Sequence, residues 1–224
     1  VLFRSLHQSV FYGLGTVTKG FYGPKSPWHM PDLSGAPEYD PDKARFLIRM
    51  NTARHTPIVL VSRQDFAYMH QAGEIIQAMW AEVGFKVRHE IHPNKVLREK
   101  YQKGASQAGE YDAESGANAY RADPDGWFYR SLRSTAPTTK LRTGYRNEAV
   151  DKLIQEARIT RDRRKRLTLY TEVENIINQE LPLIYTHTVP LLQGGVKSLA
   201  GYEPAFAGPF STVQSGIRTA HFTS

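Results

Sequence analysis

The chain has 224 residues, 40% of them hydrophobic, no cysteine and a formal net charge of +7. That length suffices for one large or two small domains with a real core, the lack of cysteine excludes disulfides, thiolate zinc sites and cysteine nucleophiles, and no apolar run reaches the ~20 residues of a membrane-spanning helix. Much of the charge excess sits in Arg158, Arg161, Arg163, Arg164, Lys165 and Arg166, at the junction of two predicted helices, and no nucleic-acid-binding motif accompanies it.

From Phe21 to Pro37 glycine and proline interrupt the chain repeatedly, which predicts an ordered, extended loop in which Trp28 anchors packing or walls a pocket. Asp40-Pro41 is a helix start: the aspartate caps, the proline presets φ, and Ala44, Leu47 and Ile48 mark an apolar face that fades near Asn51. Ile58 to Val61 is an uninterrupted apolar run, as in a strand covered on both faces. Asp65 can cap a second helix with Met69, Ala72, Ile76, Met79, Trp80 and Val83 on one stripe, ended by Gly84. Phe85, Val87, His89 and Ile91 then alternate with polar residues, so strand, helix and strand make a βαβ unit with parallel strands. His89, Glu90 and His92 carry metal-binding side chains, but strand geometry puts His89 on the face opposite Glu90 and His92, so the three do not converge.

A helix from Asn94 to about Lys103, with Val96, Leu97 and Tyr101 inward, leads to the segment Glu110–Tyr129, EYDAESGANAYRADPDGWFY. It crowds Asn118, Tyr120, Arg121, Asp123, Asp125 and Trp127 together with neither helical nor strand periodicity, and it is read as a turn or a ligand-contacting loop. Asn147 caps a helix carrying Val150, Leu153, Ile154 and Ala157 on one face. Asp162 caps a longer one with Leu169, Val173, Ile176 and Ile177 inward, ended at Leu181-Pro182. Leu183 to Leu192, including Tyr185 and His187, is strand-like, and the tail from Gly194 has no helix signal. The order describes an α/β lobe with a central sheet.

The pieces YDPDKARFLI, AGEIIQAMWAEVGFKV, EYDAESGANAYRADPDGWFY, GYRNEAVDKLIQEAR and LYTEVENIINQELPLIYTH, in this order and spacing, resemble the C-terminal part of family 5 extracellular solute-binding proteins, the oligopeptide and dipeptide receptors of ABC importers. The resemblance covers nearly the whole chain after residue 5. It implies an α/β, type 2 periplasmic-binding-protein-like lobe, the third of three, with a mixed sheet flanked by helices. Residues 6–195 would form that lobe and residues 196–224 would return to a first lobe outside this sequence, which reads as a fragment. The family's segment commonly reads Gly-Trp, two residues, Asp, two residues, Asp-Pro-Asp, and its first Asp captures a peptide's α-ammonium. Here Asp123, Pro124 and Asp125 are kept, while Ala117 stands at the tryptophan position and Tyr120 at the ammonium-binding one. A tyrosine cannot neutralise an ammonium, so the resemblance admits sugars, opines and other solutes beside peptides.

Carried over by position, Asn118, Tyr120 and Arg121 approach the cleft, Asp123 and Asp125 brace the turn, and Tyr185 and His187 lie on the strand matching the family's cleft-lining strand; the implied ligand-binding residues are Asn118, Tyr120, Arg121, Asp123, Trp127, Tyr185 and His187. The implied role is non-catalytic: capture of a small polar solute (peptide, sugar or amino-acid derivative) by a monomer at the periplasmic or extracellular face of the envelope, for delivery to a membrane permease. No cofactor and no nucleic acid are implied. Two rival functions follow from the residues: an acid/base hydrolase using Asp123 and Asp125, which lacks an accompanying nucleophile or phosphate loop, and a basic nucleic-acid module.

Overall fold

The computed structural model describes residues 2–51, 56–101, 111–118, 121–137, 139, 143–189, 195–202 and 220–223. In chain order the elements are α1 (Leu2–Ser9), β1 (Thr16–Val17), α2 (Pro41–Met50), β2 (Ile58–Arg63), α3 (Ala67–Val83), β3 (Val87–His92), α4 (Asn94–Tyr101), β4 (Ala113–Ser115), α5 (Asp125–Ser131), α6 (Glu148–Ile159), α7 (Arg163–Glu180), β5 (His187–Thr188), β6 (Leu199–Ala200) and β7 (His221–Phe222).

The caps explain most boundaries. Asp40 Oδ1 accepts from the Lys43 amide at 2.8 Å, with Pro41 in the first helical position, so α2 starts where a cap and a preset φ coincide. Gly84 takes a left-handed φ of 112° and closes α3. Asn147 and Asp162 accept from amides in the first turns of α6 and α7. Asp65, expected to cap α3, instead accepts from the Asn94 amide at 2.9 Å and holds the start of α4, while Phe66 precedes α3 without a side-chain cap. Leu47 and Val96, expected inward, are exposed.

β2 lies between β3 and β4 in a three-stranded parallel sheet of order β3-β2-β4. Alternation sends Leu60, Ser62, His89 and Ser115 toward α3, where Gly73 allows close approach: a methyl on Gly73 would run into Ser62 Oγ and His89 Nε2. Ser62 Oγ and His89 Nε2 share a 2.7 Å hydrogen bond. Val61 faces the other way and packs on Leu97 of α4. Glu90 and His92 share that second face and meet at 2.9 Å, while His89 turns away from them.

The larger core belongs to α5, α6 and α7. Phe128, Leu132, Val150, Ile154, Ala157, Tyr170, Val173 and Ile177 are all buried in it, joined by Tyr22 and Met30 from the loop before α2. Two antiparallel pairs, β1 with β5 and β6 with β7, complete the described sheets. Within the strand-like run Leu183–Leu192, only His187 and Thr188 are in a strand, and residues 190–192 lie outside the described ones.

Candidate crevice at the carboxyl ends of the parallel strands

β2 is first in sequence yet central in the sheet, and the chain places β3 on one side of it and β4 on the other. Such a reversal opens a crevice outside the carboxyl ends of parallel strands, where ligands of open α/β sheets bind. The segment singled out in the sequence emerges there. Residues 113–115 form β4, a strand its composition did not reveal. Asp112 fixes the register by accepting from the Val59 amide through Oδ2 at 2.7 Å, while its own amide donates to Val59 O at 2.9 Å. Ser115 Oγ donates to Met69 O at 2.8 Å, tying the end of β4 to the first turn of α3. Gly116, Ala117 and Asn118 then leave the sheet, with Asn118 exposed. Tyr120 lies outside the described residues.

From Arg121 onward the backbone is gripped from several sides. The Tyr22 hydroxyl donates to Arg121 O at 3.0 Å, and Trp28 Nε1 donates to Ala122 O at 3.0 Å. The half-buried Arg121 side chain lays its stem beside Gly126. Asp123 receives Arg166 in two parallel hydrogen bonds of 2.7 Å and accepts from the Asp125 amide at 2.8 Å. Fork-to-fork pairing of this kind fixes orientation as well as charge. The Arg166 hydrogen bonds hold the Asp123 carboxyl below its ordinary range and push the guanidinium further up. Asp125 has Arg158 at 3.7 Å. A carboxylate held down by Arg166 in this way makes a poor general acid, since a general acid must keep a proton to donate.

Pro124 and Asp125 open α5, where the sequence suggested a turn without helical period. Trp127, on that helix, is 5% exposed and belongs to the core: its ring stacks on Phe21 at 4.3 Å and 9°, and its Nε1 donates to the Tyr185 hydroxyl at 3.2 Å. Burial, with the Glu174 charge as a second cause, raises the Tyr185 phenol well above its ordinary value. Trp127 and Tyr185 are thus brought together, in the interior beneath the turn. His187 stands apart on β5, its ring 5.4 Å from His7 and 4.7 Å from Phe11. Burial, then His7, lowers its pKa, and among the described residues neither ring nitrogen has a hydrogen-bond partner.

Sequence reasoning passed over Arg166 and Glu174. Arg166 was counted only into the basic run at a helix junction, yet its side chain is 15% exposed. Glu174 occupies a core-facing position between Val173 and Ile177 and is wholly buried. Its Oε1 accepts from the Phe21 amide at 2.9 Å, and burial pushes its carboxyl up to about 8. A glutamate inside an apolar helical stripe was the available signal.

Among the described residues no group of three or more His, Asp or Glu side chains could hold a metal.

Comparison with known proteins identifies the family and the fold. Residues 4–140 match the family described as bacterial extracellular solute-binding proteins, family 5 middle. A dipeptide-binding protein of Pseudomonas aeruginosa is 27% identical over 214 residues, covering 93% of this chain and 38% of that protein. Heme-binding protein A of Haemophilus influenzae is 26% identical over 220 residues, 92% of this chain and 39% of its own length. The crystal structure of a Pseudoalteromonas dipeptide-binding protein in complex with Met-Leu superposes with a TM-score of 0.78 at 20% identity, over 99% of this chain and 43% of that one. The chain therefore spans about two-fifths of these relatives. It belongs to the family 5 solute-binding proteins.

Proposed function

We propose that this chain is the third-lobe part of a receptor that captures a small polar solute in an interlobe crevice and hands it to a membrane permease, without transforming it. Residues 6–195 form the ligand-binding lobe and residues 196–224 lead back toward the first lobe. The receptor acts as a monomer at the periplasmic or extracellular face of the envelope. The observation that carries this reading is the segment 116–123, which leaves the sheet at a reversal of strand order while Asp123 is locked to Arg166 in two 2.7 Å hydrogen bonds. A contact loop fixed at its far end presents Asn118 and Arg121 at little ordering cost on binding, and Tyr120, between them in sequence, is assigned to the same role. His187 is assigned to the crevice margin, and Asp123, Trp127 and Tyr185 support the loop from below. Relatives named for dipeptides and for heme show that one scaffold serves unlike solutes. Tyr120 in the ammonium-binding position favours a solute without a free α-ammonium.

The test joins the chain to its own first and second lobes and titrates panels of dipeptides, N-blocked dipeptides, sugars and amino-acid derivatives. Saturable binding of one class, with a smaller radius of gyration by X-ray scattering on binding, is expected. Arg121→Ala should weaken it roughly tenfold or more, the usual cost of losing a charge-assisted contact. An intact receptor that binds nothing across the panels, or turns a bound solute over, overturns the reading.

A further inference from the structure

The basic run that the solute reading leaves unused is not a uniformly solvated surface. α6 ends in Arg158 and Ile159, and α7 opens with Arg163, Arg164, Lys165 and Arg166 and has no acidic residue in its first turn. The cations that open α7 oppose its helix dipole, so helix stability alone does not account for them. Several are engaged internally: Arg166 with Asp123, Lys165 with Glu156 at 2.9 Å, and Arg163 with Pro27 O at 2.7 Å. Arg158 and Arg133 stand over the Tyr129 ring at 3.8 and 3.9 Å, and Arg163 lies 5.2 Å from the Trp28 ring centre. Stacking of this kind holds a guanidinium in place while leaving its edge able to donate. Arg161 and Arg164 are exposed, and among the described residues their side chains have no partner. Close to them in the chain stands Ile159, 80% exposed.

An exposed apolar side chain bordered in sequence by Arg158, Arg161 and Arg164 has the composition of a protein–protein contact, where a small desolvated centre is ringed by arginine and aromatic residues. We propose that this surface docks an acidic protein face with an apolar recess that takes Ile159, carboxylates there meeting Arg161 and Arg164. A bilayer is the poorer fit, because one isoleucine offers little area to insert and interfacial helices bring a whole apolar face. A nucleic acid is poorer still, because its row of phosphates offers no apolar recess to take Ile159. The inference is independent of which solute the crevice holds, and of whether it holds one.

The test uses the full chain and four probes: a fluorescent peptide of glutamates around a central Leu-Leu, the all-glutamate peptide of equal charge, phosphatidylglycerol vesicles and duplex DNA. The leucine-bearing peptide is expected to bind tightest. The Arg161→Glu/Arg164→Glu double variant should weaken it about tenfold or more, as rim charges do at low salt. Ile159→Ser should abolish the preference for the leucine-bearing peptide over the all-glutamate one while leaving the latter unchanged, and the Lys19→Glu/Lys197→Glu reversal elsewhere should change nothing. Circular dichroism identifies any variant that fails to fold, in which case the milder Arg161→Gln/Arg164→Gln pair is used. Vesicles or DNA binding as tightly as the peptide, an equal effect from the Lys19/Lys197 reversal, or an Ile159→Ser variant that keeps the leucine preference would each overturn the proposal.

Discussion

The helical half and the sheet half of the molecule are held together in different ways. α5, α6 and α7 enclose one continuous cluster in which Phe128, Val150, Ile154, Tyr170, Val173 and Ile177 are fully buried and the Phe128 and Tyr170 rings stack at 4.5 Å. The sheet half buries far less: Val61 of β2 and Leu97 of α4 form its core cluster, and Ile91 and Val96 remain exposed. It relies instead on its backbone ladder and on local polar contacts such as Ser62–His89 and Ser115–Met69 O. The segment 116–123 has one end in each half. Its far end inherits the rigidity of the larger core and its near end the give of a three-stranded sheet, a combination suited to a loop that meets a ligand.

The sharpest way to break this contrast is Phe128→Ala, which removes a stacked ring from the cluster's centre. Its expected cost is about 3–5 kcal/mol, read by chemical denaturation, with loss of hydrogen-exchange protection spreading through α5, α6 and α7. If protection falls first in β2 and β3, the two halves are not distinct units.

Next in size is the effect of Glu174. Its carboxyl is pushed up to about 8 by burial, against an ordinary value of 4.5. The folded state therefore binds more protons than the unfolded chain between those two values, and stability falls as pH rises from about 4.5 to 8. The fall should amount to roughly 2–4 kcal/mol, discounting the full shift for relaxation. Glu174→Gln keeps an oxygen for the Phe21 amide and should flatten that slope in melts between pH 5 and 9. A slope that survives the substitution would assign it to another group.

The smallest effect is expected in the sheet half. Gly73→Ala places a methyl against Ser62 Oγ and His89 Nε2, and overpacking there should cost about 1–3 kcal/mol. Loss of protection should be confined to α3, β2 and β3, with the Trp127 environment, followed by fluorescence, unchanged.

How much of this was legible in the sequence follows the same division. Asp40-Pro41, Gly84, Asn147 and Asp162 are local signals with a local mechanism, and each sets its boundary as expected. Asp65 misled because a capping side chain can serve any nearby helix start, and the chain brings Asn94 to it from 29 residues away. β4 is short and gains its strand character only from pairing with β2, so no periodicity announces it. α5 was hidden by Pro-Asp-Gly, which as sequence reads as a turn and in the folded chain opens a helix over the apolar cluster. The segment proposed to meet a solute stands out in the sequence by its residue types alone. The partners that hold it, Tyr22, Trp28 and Arg166, come from distant stretches and are set by tertiary packing alone.

The loop before α2 has a further consequence, for the order in which the molecule assembles. Phe21 bonds to Glu174, Ser34 to Asn175 and Tyr22 to Arg121, contacts separated by 153, 141 and 99 residues. During folding the Phe21 and Ser34 amides find their side-chain partners on α7 only once 153 and 141 residues of intervening chain have been brought round, so the helical core closes after α7 is in place. Such distant closures slow folding.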